Sequence, residues 1–286
     1  MTTDIYNTTE TLVLGATGKT GRRVVDRLHQ RGMPVRPASR RSNPPFDWEN
    51  QATWAPVLDG VRAVYISYYP DLAAPAAPET VRAFTDAALD QGVRKLVLLS
   101  GRGEEEAQRA ERAVLDTGAD VTVVRCAWFM QNFSEDFPRQ AVMDGQLVLP
   151  GGDGKEPFVD ADDIADVAVA ALTEDGHRGQ IYELTSPHLY TLSDVAAELS
   201  RVNGRTISYV PVTVDEYAAG AAANGVPAEL VTFLTYLFGQ VFGNNAYSTD
   251  GVERALGRPA RDLTTFAEAA AANGAWNPVE ATAPKA

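Results

Sequence analysis

A single cysteine, Cys126, is all the thiol chemistry in this 286-residue sequence. An internal disulfide and a cysteine-based metal site are therefore excluded. The 3 histidines are scattered without ligand spacing, so no metal is expected. Positive charge is scarce: 25 Lys and Arg face 38 Asp and Glu, for a net charge of −13. That balance excludes the basic face of a general nucleic-acid binder. No apolar run approaches the ~20 residues of a membrane span, and the opening MTTDIYNTTE is too polar and acidic for a signal peptide. A cytoplasmic protein is expected, without nucleic-acid or membrane partners and with residues 1–9 as a loose leader. There is no internal repeat and no linker long enough to separate independent domains.

Two further absences are local. From Arg27 to Phe46 there is no acidic residue, and Arg36, Arg40 and Arg41 stand there instead. None of the 10 tyrosines has a lysine four positions later. A tyrosine–lysine acid, in which the lysine lowers the phenol pKa, is therefore missing.

What is present is concentrated in Thr11 to Gly21, TLVLGATGKTG. An apolar strand runs into three glycines, and a helix follows with Val24, Val25 and Leu28 on one face and Gly32 at its end. This is the pattern of a first βα turn that binds a dinucleotide. Gly15 permits the tight turn, Gly18 lets the backbone approach a pyrophosphate, and Gly21 lets the helix pack on the strand. Lys19 is placed on phosphate, with Thr17 and Thr20 in the same loop. An NAD site usually carries an acid about 20 residues beyond the glycines. With arginines in that place, Arg40 suits a 2′-phosphate and NADPH is the expected cofactor.

Strands and helices alternate through the first half, which makes a Rossmann-type doubly wound parallel α/β sheet the expected fold. Met33–Arg40 reads as a poor second strand, Phe46–Trp48 as a minimal third and Ala52–Leu58 as a short helix. Strands are expected at 61–67, 93–100 and 120–125, with helices at 79–91 and 104–117. Ser67, Tyr68 and Tyr69 close one strand, where ligands lie in such sheets. After Cys126 the pattern changes to an aromatic stretch, Trp128, Phe129, Phe133 and Phe137, with Asn132. It reads equally as a wall for a flat substrate and as ordinary core. Asp160 is the expected N-cap of the next helix. Beyond 175 come a strand at 181–184, a helix from Thr191 with Asp194 as cap partner, a strand at 207–212, and an aromatic helix over 229–242. That last helix reads either as cover for a substrate cavity or as a dimer face, which leaves a homodimer open. Short helices are expected at 249–256 and 264–273. The expected division is a dinucleotide-binding domain over 10–150, a mostly substrate-binding α/β subdomain with returning Rossmann elements over 151–276, and a disordered tail over 277–286.

Together, VLGATGKTG, the arginine pair, LVLLSG, Arg125-x-x-x-Phe129-x-x-Asn132 and FVDADDIADVA resemble the NmrA-like branch of the atypical short-chain dehydrogenases/reductases. The resemblance spans Thr11 to Trp276. It implies a Rossmann domain with a small C-terminal subdomain, and NADP(H) held by Gly15, Thr17, Gly18 and Gly21 with Arg40 near the 2′-phosphate. Some members resemble quinone, azo-dye, triphenylmethane or ketone reductases. Others, like the NmrA regulator, bind the dinucleotide and act through protein partners.

The sequence therefore supports an NADPH-dependent reductase of an aromatic carbonyl or quinone-like compound, with a non-catalytic dinucleotide sensor as the rival. Ser100 and Tyr68 are the candidate catalytic groups. Ser67 and Tyr69 are placed by the cofactor, and Trp128, Phe129, Asn132, Phe133 and Phe158 by the aromatic substrate. A quinone asks least of such a site, because hydride delivery suffices and the phenolate takes its proton from water.

Overall fold

The computed structural model describes residues 10–135 and 137–277, without the side chain of Phe137. The expected leader and tail lie outside the described residues, Asn277 excepted. In chain order the elements are β1 (Glu10–Leu14), α1 (Lys19–Gln30), β2 (Val35–Ala38), α2 (Trp54–Leu58), β3 (Val61–Ile66), α3 (Ala77–Asp90), β4 (Lys95–Gly101), α4 (Glu105–Leu115) and β5 (Asp120–Cys126). Then follow α5 (Asn132–Glu135), α6 (Phe137–Asp144), β6 (Gln146–Leu149), α7 (Ala161–Thr173), β7 (Ile181–Leu184), α8 (Leu192–Asn203) and β8 (Ser208–Pro211). The last are α9 (Val214–Ala223), α10 (Ala228–Tyr236), α11 (Gly251–Leu256) and α12 (Leu263–Ala272).

The chain forms two compact units. Among the described residues, the first comprises those up to Ala127, Val159–Pro187 and Thr249–Ala260, the second Trp128–Phe158, His188–Ser248 and those from Arg261 onward. The expected boundary at 150 is corrected: the chain leaves the first unit after Ala127, at the end of β5, and returns to it twice.

The first unit is a six-stranded sheet of order β2-β1-β3-β4-β5-β7. Every pairing in it is parallel. Strands such as β3, with Val61, Val64, Tyr65 and Ile66 all at 0% exposure, are buried on both faces and so read as continuous apolar runs. Order reverses between β1 and β3, which creates the switch point where doubly wound sheets take ligands. The expected strand at Phe46–Trp48 is absent. The segment is a turn whose Phe46 N–H reaches the Ser39 carbonyl, and its aromatics pack edge-on to Phe84 rather than adding to the sheet.

The motif FVDADDIADVA is explained by ion pairing. Asp160 caps α7 by accepting from the Asp162 N–H. Asp162 and Asp166 then engage Arg27 of α1, with N–O distances of 2.6 and 2.5 Å. Asp163, fully buried, is paired by Arg258 at 2.8 Å. Asp162 and Asp166 tie α7 to α1, and Asp163 ties it to the segment beyond α11. They are structural, not ligand-binding.

The second unit contains the parallel pair β6–β8 and a core that includes Met130, Phe133, Leu147, Phe158, Leu199, Phe242 and Trp276. α8 starts at the expected capping box of Thr191 and Asp194 and ends at Gly204. The aromatic helix is shorter than expected: α10 stops at Tyr236 and widens into a π-turn over Leu237–Val241. α9 was not foreseen, although Thr213 and Glu216 form a full capping box that the sequence spells out.

Candidate functional site

The site is built on the turn between β1 and α1. Gly15 has φ +65, and a side chain there would meet the Ser67 Cβ at 3.2 Å. Thus Gly15 and Ser67, widely separated in sequence, touch at the switch point. The Gly18 N–H donates to the Gly15 carbonyl at 2.9 Å and closes the loop. A Cβ on Gly21 would lie 2.2 Å from the same oxygen, so α1 can approach only because that position is bare. Gly18 is the N-cap of α1 and gives it no side-chain cap, and the first turn has no acid. The helix start therefore keeps the donors and dipole that favour an anion. Thr17 and Gly18 are exposed beside it. These features fit a dinucleotide pyrophosphate. Thr20 differs from the expectation: it is buried, with its hydroxyl beside the Tyr65 phenol, so its side chain faces the fold.

Arg36 is drawn away from the site by Glu10 and the Val57 and Asp59 carbonyls. Arg40, by contrast, is exposed beyond the end of β2. Its guanidinium lies 5.5 Å from the ring centre of Tyr69, which is 67% exposed. Tyr68 turns the other way, its ring 4.9 Å from that of Trp48, which itself donates to the Ser67 carbonyl at 3.3 Å.

Ser100 is corrected. It is 4% exposed and its hydroxyl donates to Glu111 Oε1 at 2.6 Å. Glu111, buried on α4, also takes two bonds from Arg125, at 2.9 and 2.5 Å. Arg125 reaches Glu183 at 2.8 Å, and these acids hold its guanidinium firmly in the charged form. Ser100 and the family-motif Arg125 thus belong to a buried ion cluster that ties α4 to β4, β5 and β7.

The aromatic expectation divides. Phe133 and Phe158 are 4% and 1% exposed and pack on each other in the core of the second unit, so they are not lining groups. Trp128, Phe129 and Asn132 are half-buried. Trp128 stacks at 4.9 Å on Phe238 of the π-turn, which meets Tyr217 at 5.4 Å. Phe238 belongs to the aromatic helix expected over 229–242, whereas Tyr217 was not singled out from sequence, because its contact joins segments apart along the chain. π-turns of this kind recur at functional sites.

Sequence reading also missed an acidic pair. Asp71 follows β3 and Glu104 follows β4. Glu104 is 6% exposed, and its Oε2 has no hydrogen-bond partner. In sequence it is only the first of three glutamates that look like a solvated helix start.

Residues 15–175 match the model of a family described as NAD(P)H-binding. The chain is 34% identical to an agroclavine dehydrogenase of Claviceps fusiformis, over 88% of this chain and 91% of that relative. It is 32% identical to an NAD(P)H azoreductase of Xenophilus azovorans, over 91% of this chain and 98% of that relative. An NADPH-dependent quinone oxidoreductase of Escherichia coli, solved with NADPH, shares the fold with a TM-score of 0.76 at 23% identity, covering 91% of this chain and 99% of that one.

Proposed function

The chain belongs to the NAD(P)H-binding family and is an oxidoreductase of its reductase branch; on that premise we propose that it is an NADPH-dependent reductase of aromatic carbonyl or quinone-like compounds. The observation that carries the reading is the start of α1. It is uncapped by any side chain, stripped of acid and set at the switch point of the sheet against Ser67. Gly15, Thr17, Gly18 and Lys19 hold the pyrophosphate there, with backbone N–H groups as the principal donors. Arg40 takes the 2′-phosphate, since no acid stands between Arg27 and Phe46 to bind a free ribose hydroxyl. The exposed ring of Tyr69 flanks the same end of the sheet.

When bound, NADPH supplies the hydride. Trp128, Phe129 and Asn132 offer a planar acceptor an aromatic surface that Phe238 and Tyr217 extend. Positioning of this kind is the protein's main contribution where the chemistry is the cofactor's. Two names among the relatives, azoreductase and quinone oxidoreductase, describe flat conjugated acceptors and support this substrate class.

The test is calorimetric titration with NADPH and NADH, followed by NADPH oxidation with 1,4-naphthoquinone, a polyaromatic ketone and an azo dye. Preferential NADPH binding with turnover of at least one acceptor is the expected result. Tight dinucleotide binding with no turnover of any of them would refute the enzymatic reading in favour of the sensor.

A further inference from the structure

Among the described residues of the first unit, Glu104 is the one buried carboxyl that neither an arginine pair nor a helix cap explains. Its Oε2 is without a hydrogen-bond partner, and its Oε1 lies where a side chain on Gly101 would be, 1.9 Å from that Cβ position. The carboxyl therefore occupies space that only a glycine at 101 leaves open. Asp71 is its charged neighbour, and half-buried Asp71 accepts from the Ala73 N–H at 2.7 Å through one oxygen. Both carboxyls lie just past the carboxyl ends of adjacent parallel strands, β3 and β4, on the side of the sheet where ligands bind.

A buried carboxylate oxygen without a donor is costly, and two like charges beside one another add to the cost. A single proton removes both penalties, because the protonated oxygen becomes the donor the site lacks. We propose that Asp71 and Glu104 share one proton at neutral pH, and that Glu104 delivers it to the heteroatom of the reduced substrate. The proposal rests on the reductase reading above and supplies the acid that the missing tyrosine–lysine pair would otherwise provide. Asp71 acts as a positioning residue through Glu104.

The surrounding charges agree. Burial, then the charge of Asp71, pushes the Glu104 carboxyl up to about 8, and burial raises Asp71 as well. On α4, Glu105 and Glu106 add negative charge in the first turn, partly answered by Arg109. On α3, which packs on α4, the charged groups are Glu79 in the first turn and the Arg82–Asp86 pair. Arg102, two residues before Glu104, places its Nε 3.5 Å from Glu183.

The step balances simply. Hydride brings two electrons and forms the new bond at the acceptor atom. The O–H bond of Glu104 breaks and its proton goes to the heteroatom that gains the electron pair. The carboxylate left behind is repelled by Asp71 and regains a proton from solvent by way of that half-buried residue.

The first measurement is infrared spectroscopy of the unliganded protein. A protonated carboxyl C=O band should be present at pH 7, titrate out near pH 8, and vanish in Glu104→Gln. Its absence overturns the proposal whatever the enzyme does. The second compares methyl red, whose reduction needs protons on nitrogen, with 1,4-naphthoquinone. Glu104→Gln should lower kcat on methyl red by about 100-fold, a larger loss than on naphthoquinone, whose phenolate takes its proton from water, with NADPH binding unchanged. Equal retention of both rates overturns proton delivery. Asp71→Asn should move the alkaline limb of the methyl red profile to lower pH, and an unmoved limb removes Asp71 from the pair. Wild-type protein that shows the band but reduces neither probe refutes the reductase reading and proton delivery with it; activity without the band refutes the shared proton alone.

Discussion

Replacing Gly21 by alanine separates the fold's need for a bare α1 from the site's need for an open loop. The new Cβ would stand 2.2 Å from the Gly15 carbonyl oxygen and 2.7 Å from its carbon, where real contacts keep beyond 3.0 Å. The helix or the loop must therefore give by nearly 1 Å, and both contacting atoms are backbone, so no rotamer change relieves the clash. Overpacking of this kind costs ~1–3 kcal/mol and sometimes more. The gain in helix propensity from Gly to Ala returns at most ~1 kcal/mol. A net loss of about 2 kcal/mol lowers the first unit's melting temperature by about 4–8 °C. Gly18→Ala is the control. Its Cβ would lie 3.2 Å from the same oxygen and its backbone, at φ −79 and ψ 174, suits alanine. It should cost under about 1 kcal/mol while reducing NADPH affinity, because the methyl group stands where a pyrophosphate would approach. Circular-dichroism melts and calorimetric titration of both variants read the two effects separately. A Gly21→Ala protein melting within 1–2 °C of wild type, roughly the size of a tolerated surface change, would refute the close-packing argument.

Four other outcomes are expected. Arg40→Ala should weaken NADPH binding by about 1.5–3 kcal/mol and leave NADH almost untouched; equal weakening of both would remove Arg40 from the 2′-phosphate. Glu111→Ala leaves Arg125 without its bidentate partner and Ser100 without its acceptor, so it should cost about 3–5 kcal/mol by urea unfolding. Glu104 has its folded pKa raised from 4.5 to about 8, so its contribution to stability is full below pH 4.5 and is lost as pH rises through 8; Glu104→Gln should therefore gain stability relative to wild type from pH 5 to pH 8, and a constant difference across that range would contradict the shift. In α8, hydrogen bonds from Thr191 hold Asp194 below its ordinary 3.8. Its contribution is present above pH 3.8 and lost as pH falls further, and Thr191→Ala should cost about 1 kcal/mol at pH 7 and less at pH 2.5 in thermal melts.

The sequence by itself determined the features whose cause is local. Gly15, Gly18 and Gly21 announce their turn because a tight loop and a close helix leave no room for side chains within a few residues. Asp160 and the Thr191 box announce helix starts because a cap needs only its own next turn. The two-faced burial of β3 is visible as an apolar run, and parallel order follows from the alternation of strands and helices. The absence of a tyrosine–lysine pair could be read by inspection.

Tertiary structure decided whatever depends on a partner far along the chain. Ser100 looks like a strand-end catalytic serine until Glu111 and Arg125 are seen to claim its hydroxyl and its surroundings. Phe133 and Phe158 are indistinguishable in sequence from Trp128, yet folding buries the first two completely enough to make them core. The acids of FVDADDIADVA acquire their meaning only from Arg27 and Arg258, on α1 and beyond α11. Glu104 reads as one more solvated glutamate, and it becomes an unpartnered buried carboxyl beside Asp71 only when β3 and β4 align. The physical reason is common to all four. The character of a charged or aromatic side chain is set by what desolvates and neutralises it, and those neighbours come from other elements of the fold.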